Sequence, residues 1–217
     1  MLKLIDLSHT VEEGMITYPG LPGPIICDFL SREASKKHYA EGTSFQIGRI
    51  DMVANTGTYV DSPFHRFENG TDLADLPLDR LAELAGIVID ARDCGRRVSI
   101  GLFDKIDVRG KAVLVRTGWD RHWRTPEYMQ GHPFLGLEIA ERLRDGGARL
   151  VGIDSLNIDD IDDGTRPVHT TLLGAGIPIA EHLCGLDALP DAGFRFHAVP
   201  VKVRGLGTFP VRAYAVV

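Results

Sequence analysis

The segment from Asn55 to His65 places a carboxylate and an imidazole where they could act on one substrate. Asp61 and His65 stand four residues apart, and Pro63 restricts the backbone between them. A turn this constrained can direct both groups at one point, either for proton transfer or for binding a metal ion. The same spacing also suits an Asx-turn followed by a surface histidine, so spacing alone leaves both interpretations open.

Two residues later in the chain could extend such a site, because each lies at the end of an apolar segment or directly after one. They are His169 and Glu181. Two carboxylates and one imidazole can hold Zn²⁺ or Mn²⁺ and still leave a position open for water. Taken singly, His169 is explained as a residue at the start of a helix, and Glu181 as a strand residue that faces solvent.

The length and composition of the chain fit one globular domain that spans residues 1–217. Apolar residues make up 44% and charged residues 25%, close to the usual balance. The net charge of −6 argues against a nucleic-acid partner, because phosphate contacts need a basic surface. The G-x-S-x-G, P-loop, G-x-G-x-x-G and H-E-x-x-H motifs are missing, which disfavours serine hydrolases and nucleotide enzymes.

Other features of the sequence indicate where the protein works. Met1–Leu7 is too short and too polar for a secretory signal, and no segment approaches the ~18–20 apolar residues of a membrane helix. Three widely separated cysteines without a C-x-x-C pair are typical of reduced thiols. We therefore expect a cytoplasmic protein with no membrane partner.

The elements that must position the candidate residues follow an alternating order. Buried strands are predicted at Gly86–Ala91, Lys111–Thr117 and Arg149–Asp154, where short apolar segments occur. A helix is predicted at Leu135–Asp145, which has one apolar face and ends before Gly146-Gly147. This strand–helix–strand order predicts a partly parallel α/β sheet whose strands end in polar residues at one rim.

The remaining segments are shorter and more varied. A helical connection broken at Pro77 is predicted for Asp72–Ala85, and a short helix for Val98–Ile106. Residues 155–167 are predicted to form a solvated acidic loop, because their spacing fails the calcium-loop pattern. Further extended segments are predicted at Leu2–Ser8, Pro24–Phe29, Ser44–Val53, Ile177–Leu183, Gly193–Val203 and Val211–Val217, with a helical turn at His169–Gly174.

A series of short blocks in a fixed order spans nearly the whole chain. The blocks are DLSH at 6–9, YPG at 18–20, TGTYVDSPFH at 56–65, LPL at 76–78, VRTGW at 115–119, LVGIDS at 150–155, HTTLLGAG at 169–176, IAE at 179–181 and PVRA at 210–213. Together they resemble the cyclase-like hydrolase family, which includes bacterial kynurenine formamidase (arylformamidase) and isatin hydrolase. The resemblance implies a swivelling α/β domain with a mixed, partly closed β-sheet flanked by helices.

The resemblance also implies what the protein does. Members of the family cleave the formamide bond of an aromatic amine, as in tryptophan catabolism, or open a lactam or lactone ring. They usually assemble as a homodimer or a higher homo-oligomer. By this resemblance the chain is a hydrolase that acts on an amide, cyclic amide or lactone bond of a small substrate.

The family motif, His-x-Gly-Thr-His-x-Asp-x-Pro-x-His, implies roles for individual residues. Asp61 matches the shared metal ligand and His65 the general base, while His169 and Glu181 match ligands found later in the family's chains. These positions imply one divalent metal, Zn²⁺ or Mn²⁺, at a site formed by Asp61, His169 and Glu181.

Two positions of the motif differ in this chain, and both remove an imidazole from a metal position. Asn55 stands where the family has its first histidine, and Tyr59 where it has the second. An amide oxygen is a weak ligand for zinc, and a neutral phenol is weaker still. The usual first metal position is therefore lost or weakened.

Three hypotheses remain open on the sequence. In the first, one metal is bound by Asp61, His169 and Glu181. In the second, His65 activates water without a metal, while Tyr59 and Asn55 donate hydrogen bonds to the developing oxyanion. In the third, the pocket binds a small molecule and catalyses nothing.

Aromatic and basic residues around the motif could shape the substrate pocket. The candidates are Phe64, Phe67, Trp119 and Trp123 as walls, and Arg66 or Arg116 as partners for a carboxylate. Ordinary core packing explains the aromatic residues equally well.

Overall fold

Eleven strands and three α-helices, together with short 3-10 helices, make up the regular structure of residues 2–217, the part that the computed structural model describes. The strands are β1 (Leu4–Asp6), β2 (Ile25–Leu30), β3 (Ile47–Asp51), β4 (Tyr59–Asp61), β5 (Leu84–Asp90), β6 (Lys111–Arg116), β7 (Leu150–Ile153), β8 (Ile179–Glu181), β9 (Ala192–His197), β10 (Thr208–Pro210) and β11 (Tyr214–Val216). The helices are α1 (Arg32–Ser35), α2 (Leu137–Gly146) and α3 (Pro167–Gly174). Nine strands form one curled, mixed sheet in the order β1-β11-β9-β5-β6-β7-β8-β4-β10.

Four parallel strands, β5 to β8, form the centre of this sheet. Their side chains are almost all buried, because one hydrophobic core lies on each face of the sheet. Helix α2 covers one face with Ile139, Ala140 and Leu143, and it ends at Gly147 in the left-handed conformation. The predicted strand–helix–strand unit and the predicted α/β fold with a mixed, partly closed sheet are confirmed.

Antiparallel strands flank the parallel centre on both sides. On one side, β9, β11 and β1 bring the two ends of the chain together. On the other side, β4 lies between β8 and β10, so that Tyr59 is opposite Glu181 and Asp61 is opposite both Ile179 and Thr208. This register places residues from three distant parts of the sequence side by side.

The helical connection predicted for Asp72–Ala85 is wrong. These residues form turns, a 3-10 helix at Leu78–Arg80 and the start of β5. The Asp72 carboxylate accepts hydrogen bonds from the N–H groups of Ala74 and Asp75, which stabilises a turn in place of a helix. Leu73, Leu76 and Leu81 enter the core from backbone outside any α-helix, whereas Leu78 is exposed, so the near-helical spacing of the leucines is misleading.

The prediction that residues 155–167 form a solvated loop is wrong for the first half of the segment. Ser155, Leu156, Ile158 and Asp159 are buried to within 1% of full burial, and Asn157 is 8% exposed. The loop turns inward because its polar groups find partners inside the protein: Ser155 donates to the carbonyl of Pro133, for example. Only residues 160–167 lie near or at the surface.

Strands β2 and β3 form a separate two-stranded sheet, which together with the residues that join them we call the arm (residues 25–51). Both strands were predicted as extended segments. Every residue of β3 and nearly every residue of β2 is exposed, including Ile26 and the directly opposite Ile50. Within residues 2–217, every helix is too short or too polar to cross a bilayer.

Candidate active site

Asp61, His169 and Glu181 meet at the rim of the main sheet, where β4 and β8 end and α3 begins. The Nε2 atom of His169 lies 3.7 Å from Asp61 Oδ2 and 3.7 Å from Glu181 Oε1. All three side chains are buried, with at most 5% of any residue exposed. We call these three residues, with Asp159 beneath them, the site floor.

Asp159 fixes the orientation of His169. Its carboxylate accepts a 2.7 Å hydrogen bond from Nδ1 of His169, and it also accepts the backbone N–H groups of Val168 and His169. A carboxylate can only accept, so Nδ1 must carry a proton and Nε2 faces the other acids. An imidazole held this way presents its second nitrogen to a metal ion or to a proton.

Glu181 is held in place from both sides. Its Oε2 accepts a 2.6 Å hydrogen bond from the Tyr59 hydroxyl, and its Oε1 accepts one of 2.6 Å from the N–H of Ile158. The hydroxyl of Tyr18 lies 2.9 Å from that of Tyr59. Burial, together with the charge of Glu181, raises the pKa of Tyr59 well above its usual value, so this phenol stays neutral.

Thr208 connects the floor to His65. Its hydroxyl donates to Asp61 Oδ1 and lies 2.8 Å from Nδ1 of His65. Because the single hydroxyl proton goes to the carboxylate, neutral His65 must donate from Nδ1 to the threonine oxygen. Its Nε2 lone pair is therefore left free to accept a proton.

Two close backbone contacts hold this arrangement. Gly57 adopts φ of +65° in the turn before β4, and its N–H donates to Thr17 Oγ1 at 2.9 Å. A Cβ atom at Gly207 would lie 2.4 Å from the backbone N of His65. Only glycine permits this approach, which brings β10 against the turn that carries His65.

The charges of the floor require a positive charge at its centre. Burial alone would lower the pKa of His169, but Glu181, Asp159 and Asp61 outweigh it and raise this pKa to about 10. Burial raises the pKa of Glu181, even though charged His169 opposes the shift. A proton on His169 or a metal cation would supply the missing charge.

The donor atoms of the site fit a divalent metal. Asp61 Oδ2 is buried and is without a hydrogen-bond partner among the described residues. Asp61, His65 and His169 each offer one ligand atom, and these atoms lie within 4.8 Å of one another. The predicted set contains Glu181 in place of His65, and both residues border the same two ligands.

A pocket of about 260 Å³ opens above the floor. Asn55, Tyr59, His65 and Arg66 line it, so the structure brings all six predicted site residues to one place. Arg116 lies elsewhere, paired with Asp90. The predicted aromatic walls are also elsewhere: Trp123, for example, stacks on His9 with ring centroids 4.0 Å apart.

Sequence reasoning missed Asp159, Thr208 and Tyr18 as parts of the site. Asp159 lies in the segment predicted to be solvated, and Thr208 belongs to none of the matching blocks. Tyr18 is within a matching block, but its sequence context indicates only a turn. No pattern in one sequence marks a residue whose role is to hold another side chain.

Comparison with known proteins finds relatives along nearly the whole chain. The Cyclase family model matches residues 5–160. A kynurenine formamidase from Bacillus thuringiensis subsp. konkukian (strain 97-27) is 31% identical over 212 residues, which cover 96% of this chain and 95% of the relative. One from Geobacillus thermodenitrificans (strain NG80-2) is 29% identical over 211 residues, with the same coverage.

Solved structures share the fold. One described as a potential metal-dependent hydrolase with cyclase activity is 26% identical and has a TM-score of 0.81, covering 100% of this chain and 98% of its own. Isatin hydrolase A from Labrenzia aggregata, bound to benzyl benzoate, is 21% identical with a TM-score of 0.83, covering 100% and 94%. That second likeness concerns the fold alone. The match of the family model to most of the chain, and the identity to curated relatives along nearly its full length, show that the chain belongs to the cyclase family.

Proposed function

We propose that this protein is a hydrolase that cleaves the formamide bond, or a cyclic amide or lactone bond, of a small aromatic substrate. The observation that carries the proposal is the pair formed by His65, whose Nε2 is free to take a proton, and the acidic floor beside it. The names of the curated relatives support a formamide substrate such as N-formylkynurenine.

In this proposal Asp61, His169 and Glu181 hold one divalent ion, Zn²⁺ or Mn²⁺. The unpartnered oxygen of Asp61 and the oriented Nε2 of His169 support this set. When bound, such an ion lowers the pKa of a coordinated water toward about 7 and polarises a carbonyl group. The ion would also provide the positive charge that the floor lacks.

His65 acts as the general base. Its Nε2 accepts a proton from the attacking water, and the bond from Nδ1 through Thr208 to Asp61 stabilises the imidazolium that forms. Because His65 is partly exposed at the pocket mouth, it can then pass the proton to the leaving amine. Proton transfer of this kind contributes about 10²–10⁴-fold to the rate.

Asn55 and Tyr59 differ in what they can offer to the oxyanion. Tyr59 already donates its proton to Glu181, so its first effect is to position that carboxylate. The amide of Asn55 lines the pocket and is the better placed donor.

Elemental analysis and turnover, measured together on protein purified without chelator, test the proposal. We expect about one transition metal per chain and turnover of N-formylkynurenine that is lost in His65→Gln. Metal-free protein that still turns over this substrate would favour water activation by His65 alone. If a panel of formamides, lactams and lactones gives no turnover that depends on His65, the site belongs to a silent binding homologue and the proposal fails.

We also propose that the protein works as a homo-oligomer through its arm, in the cytoplasm with its three cysteines reduced. Seven large apolar residues of the arm are between 37% and 75% exposed: Ile25, Ile26, Phe29, Tyr39, Phe45, Ile47 and Ile50. Two strands alone are marginally stable in water, so the arm needs a cover. At on the order of 100 Å² each, the seven approach the roughly 800 Å² per partner of a standard interface.

The charge distribution favours a second copy of this chain as the partner that buries the apolar surface of the arm. The arm carries four acidic and four basic residues, whereas the whole chain has a net charge of −6. Two copies can therefore meet at the arm without the repulsion that other faces would cause. The arm also begins near Leu21 and ends near Asn55, which both line the pocket, so a second copy would border the pocket mouth.

A further inference from the structure

Two arginines at the pocket mouth are held by hydrogen bonds, Arg66 to helix α3 and Arg166 to the loop that precedes α3. Arg66 Nε donates to Thr170 Oγ1 at 3.1 Å, and Arg166 Nη1 donates to the carbonyl of Asp160 at 2.7 Å. The N–H of Thr170 donates to the carbonyl of Arg166 at 3.0 Å, so the residue that anchors Arg66 lies one helical turn from Arg166 itself. Both side chains line the pocket that contains His65.

Neither arginine has an acidic partner among residues 2–217. Each guanidinium makes its one side-chain hydrogen bond to a neutral oxygen, which leaves its other N–H groups available. Other arginines of the chain pair with acids: Arg204, for example, binds Asp75 at 3.1 Å. The pocket therefore holds two positioned cations that directly contact no carboxylate of the described chain, although the charge of Arg166 contributes to the lowered pKa of exposed Asp163.

The charge balance of the site makes these cations significant. The floor contains three acids, Asp61, Asp159 and Glu181, and one divalent ion would offset two of their three negative charges. Arg66 and Arg166 then leave a net positive charge at the mouth. A neutral substrate would not need them, whereas an anionic substrate would be attracted and oriented.

We propose that Arg66 and Arg166 form a clamp for a carboxylate, so that the substrate is an acid as well as an amide. This inference rests on the proposed function. It favours an open-chain formamide that carries a carboxylate over a neutral lactam or lactone. The clamp holds the carboxylate at the α3 side of the mouth, while the scissile carbonyl reaches the floor beside His65.

Binding of a product and its neutral analogue tests the clamp without requiring turnover. L-kynurenine and L-kynurenine carboxamide differ in one negative charge and keep the same aromatic ketone. We expect Arg66→Gln and Arg166→Gln each to weaken calorimetric binding of the acid about tenfold, the effect of one charge-assisted hydrogen bond. Binding of the carboxamide should change less than about twofold, because it has no carboxylate for the arginines to bind. Arg166→Lys should recover part of the acid affinity.

Arg109→Gln is the matched control, because Arg109 is exposed just before β6, at the end of the parallel strands opposite the site. It should bind both ligands as the wild type does. The clamp is overturned if the wild type binds the carboxamide as tightly as the acid, or if the arginine variants weaken both ligands equally. Formamide turnover without any preference for acids would leave the proposed function standing and remove the clamp. Arginine-dependent binding of the acid without turnover would support the clamp and contradict the proposed function.

Discussion

The site floor and the arm depart from normal burial in opposite directions. In the floor, Asp61, Asp159 and Glu181 are buried, with no more than 1% of any of them exposed, although they are acids. In the arm, Phe29 is 75% exposed and Ile50 57% exposed, although they are apolar. Buried acids without enough counter-charge and exposed apolar side chains in a cluster are both unfavourable in an isolated chain.

Under the function proposed above, each region requires a different component. A metal ion would supply positive charge to the floor, and a second copy of the chain would bury the apolar surface of the arm. If this comparison is right, variants of the floor change metal content and turnover but not assembly, and variants of the arm do the opposite.

The largest effect is expected from Asp61→Asn. This change removes the oxygen that is left for a metal and also weakens the acceptor of Thr208. We expect the metal to be lost and turnover of N-formylkynurenine to fall about 10³-fold or more, with the assembly state unchanged. Elemental analysis, steady-state kinetics and sedimentation velocity measure the three quantities.

Asp162→Asn provides the control for that variant, because its side chain is 81% exposed in the same acidic region of the chain that holds Asp159. It should keep the metal content and activity of the wild type. Asp61→Asn protein that retains one metal per chain would show that the ligands are assigned incorrectly.

Much of the floor could be predicted from the sequence, but only by comparison with a family. Asp61, His65, His169 and Glu181 were found because they lie in blocks that match in order. Spacing alone could not join residues 61 and 181, since strand pairing between β4 and β8 brings them together. Asp159 and Thr208 were missed because their partners are far away in sequence or become buried only after folding.

The fold could likewise be predicted only in part from the sequence. Continuous apolar segments correctly predict central strands, because burial on both faces of a sheet leaves a clear local pattern. Helix α2 is correctly predicted from its one apolar face and the glycines that follow it. The prediction for Asp72–Ala85 is wrong, because the Asp72 side chain stabilises a turn at the start of the segment and most of its leucines enter the core without forming a helix. The exposure of both faces of the arm could not be predicted either, since the alternation of apolar and polar residues in Ser44–Val53 indicates a strand with one buried face.

The second largest effect is expected from Asp159→Asn, which tests whether the Asp159 carboxylate positions His169 in the floor. The two N–H groups of His169 bind Oδ2 and that of Val168 binds Oδ1, so an amide places its NH₂ group against at least one of these donors. It also removes the negative charge that strengthens the bond to Nδ1 of His169. We expect metal affinity to fall about 10–100-fold. Competition with a chromophoric chelator measures the affinity. An affinity equal to that of the wild type would mean that His169 is not a ligand.

A smaller effect, confined to catalysis, is expected from Thr208→Val. The variant keeps the shape of the side chain but removes the hydroxyl that joins Asp61 to His65. We expect kcat to fall about tenfold, at the lower end of proton-transfer effects, with metal content unchanged. Thr208→Ser should restore most of the activity because it restores the hydroxyl. If Thr208→Val loses the metal instead, the threonine supports the ligand and not the base.

The smallest effect on chemistry, and the sharpest test of the comparison, is expected from Ile50→Lys in the arm. Ile50 lies directly opposite Ile26, so one lysine places a charge in the centre of the apolar surface. We expect sedimentation velocity to show dissociation to monomers, with full metal content and a KM change of only about a fewfold, because the arm borders the pocket mouth without reaching the floor.

Leu78→Lys is the matched control, since Leu78 is 65% exposed outside the arm and should leave assembly unchanged. Wild-type protein that is monomeric at micromolar concentration, or equal dissociation in both variants, would contradict the role given to the arm. Loss of metal on dissociation would show instead that the two regions are coupled, with the second copy completing the floor as well as the mouth.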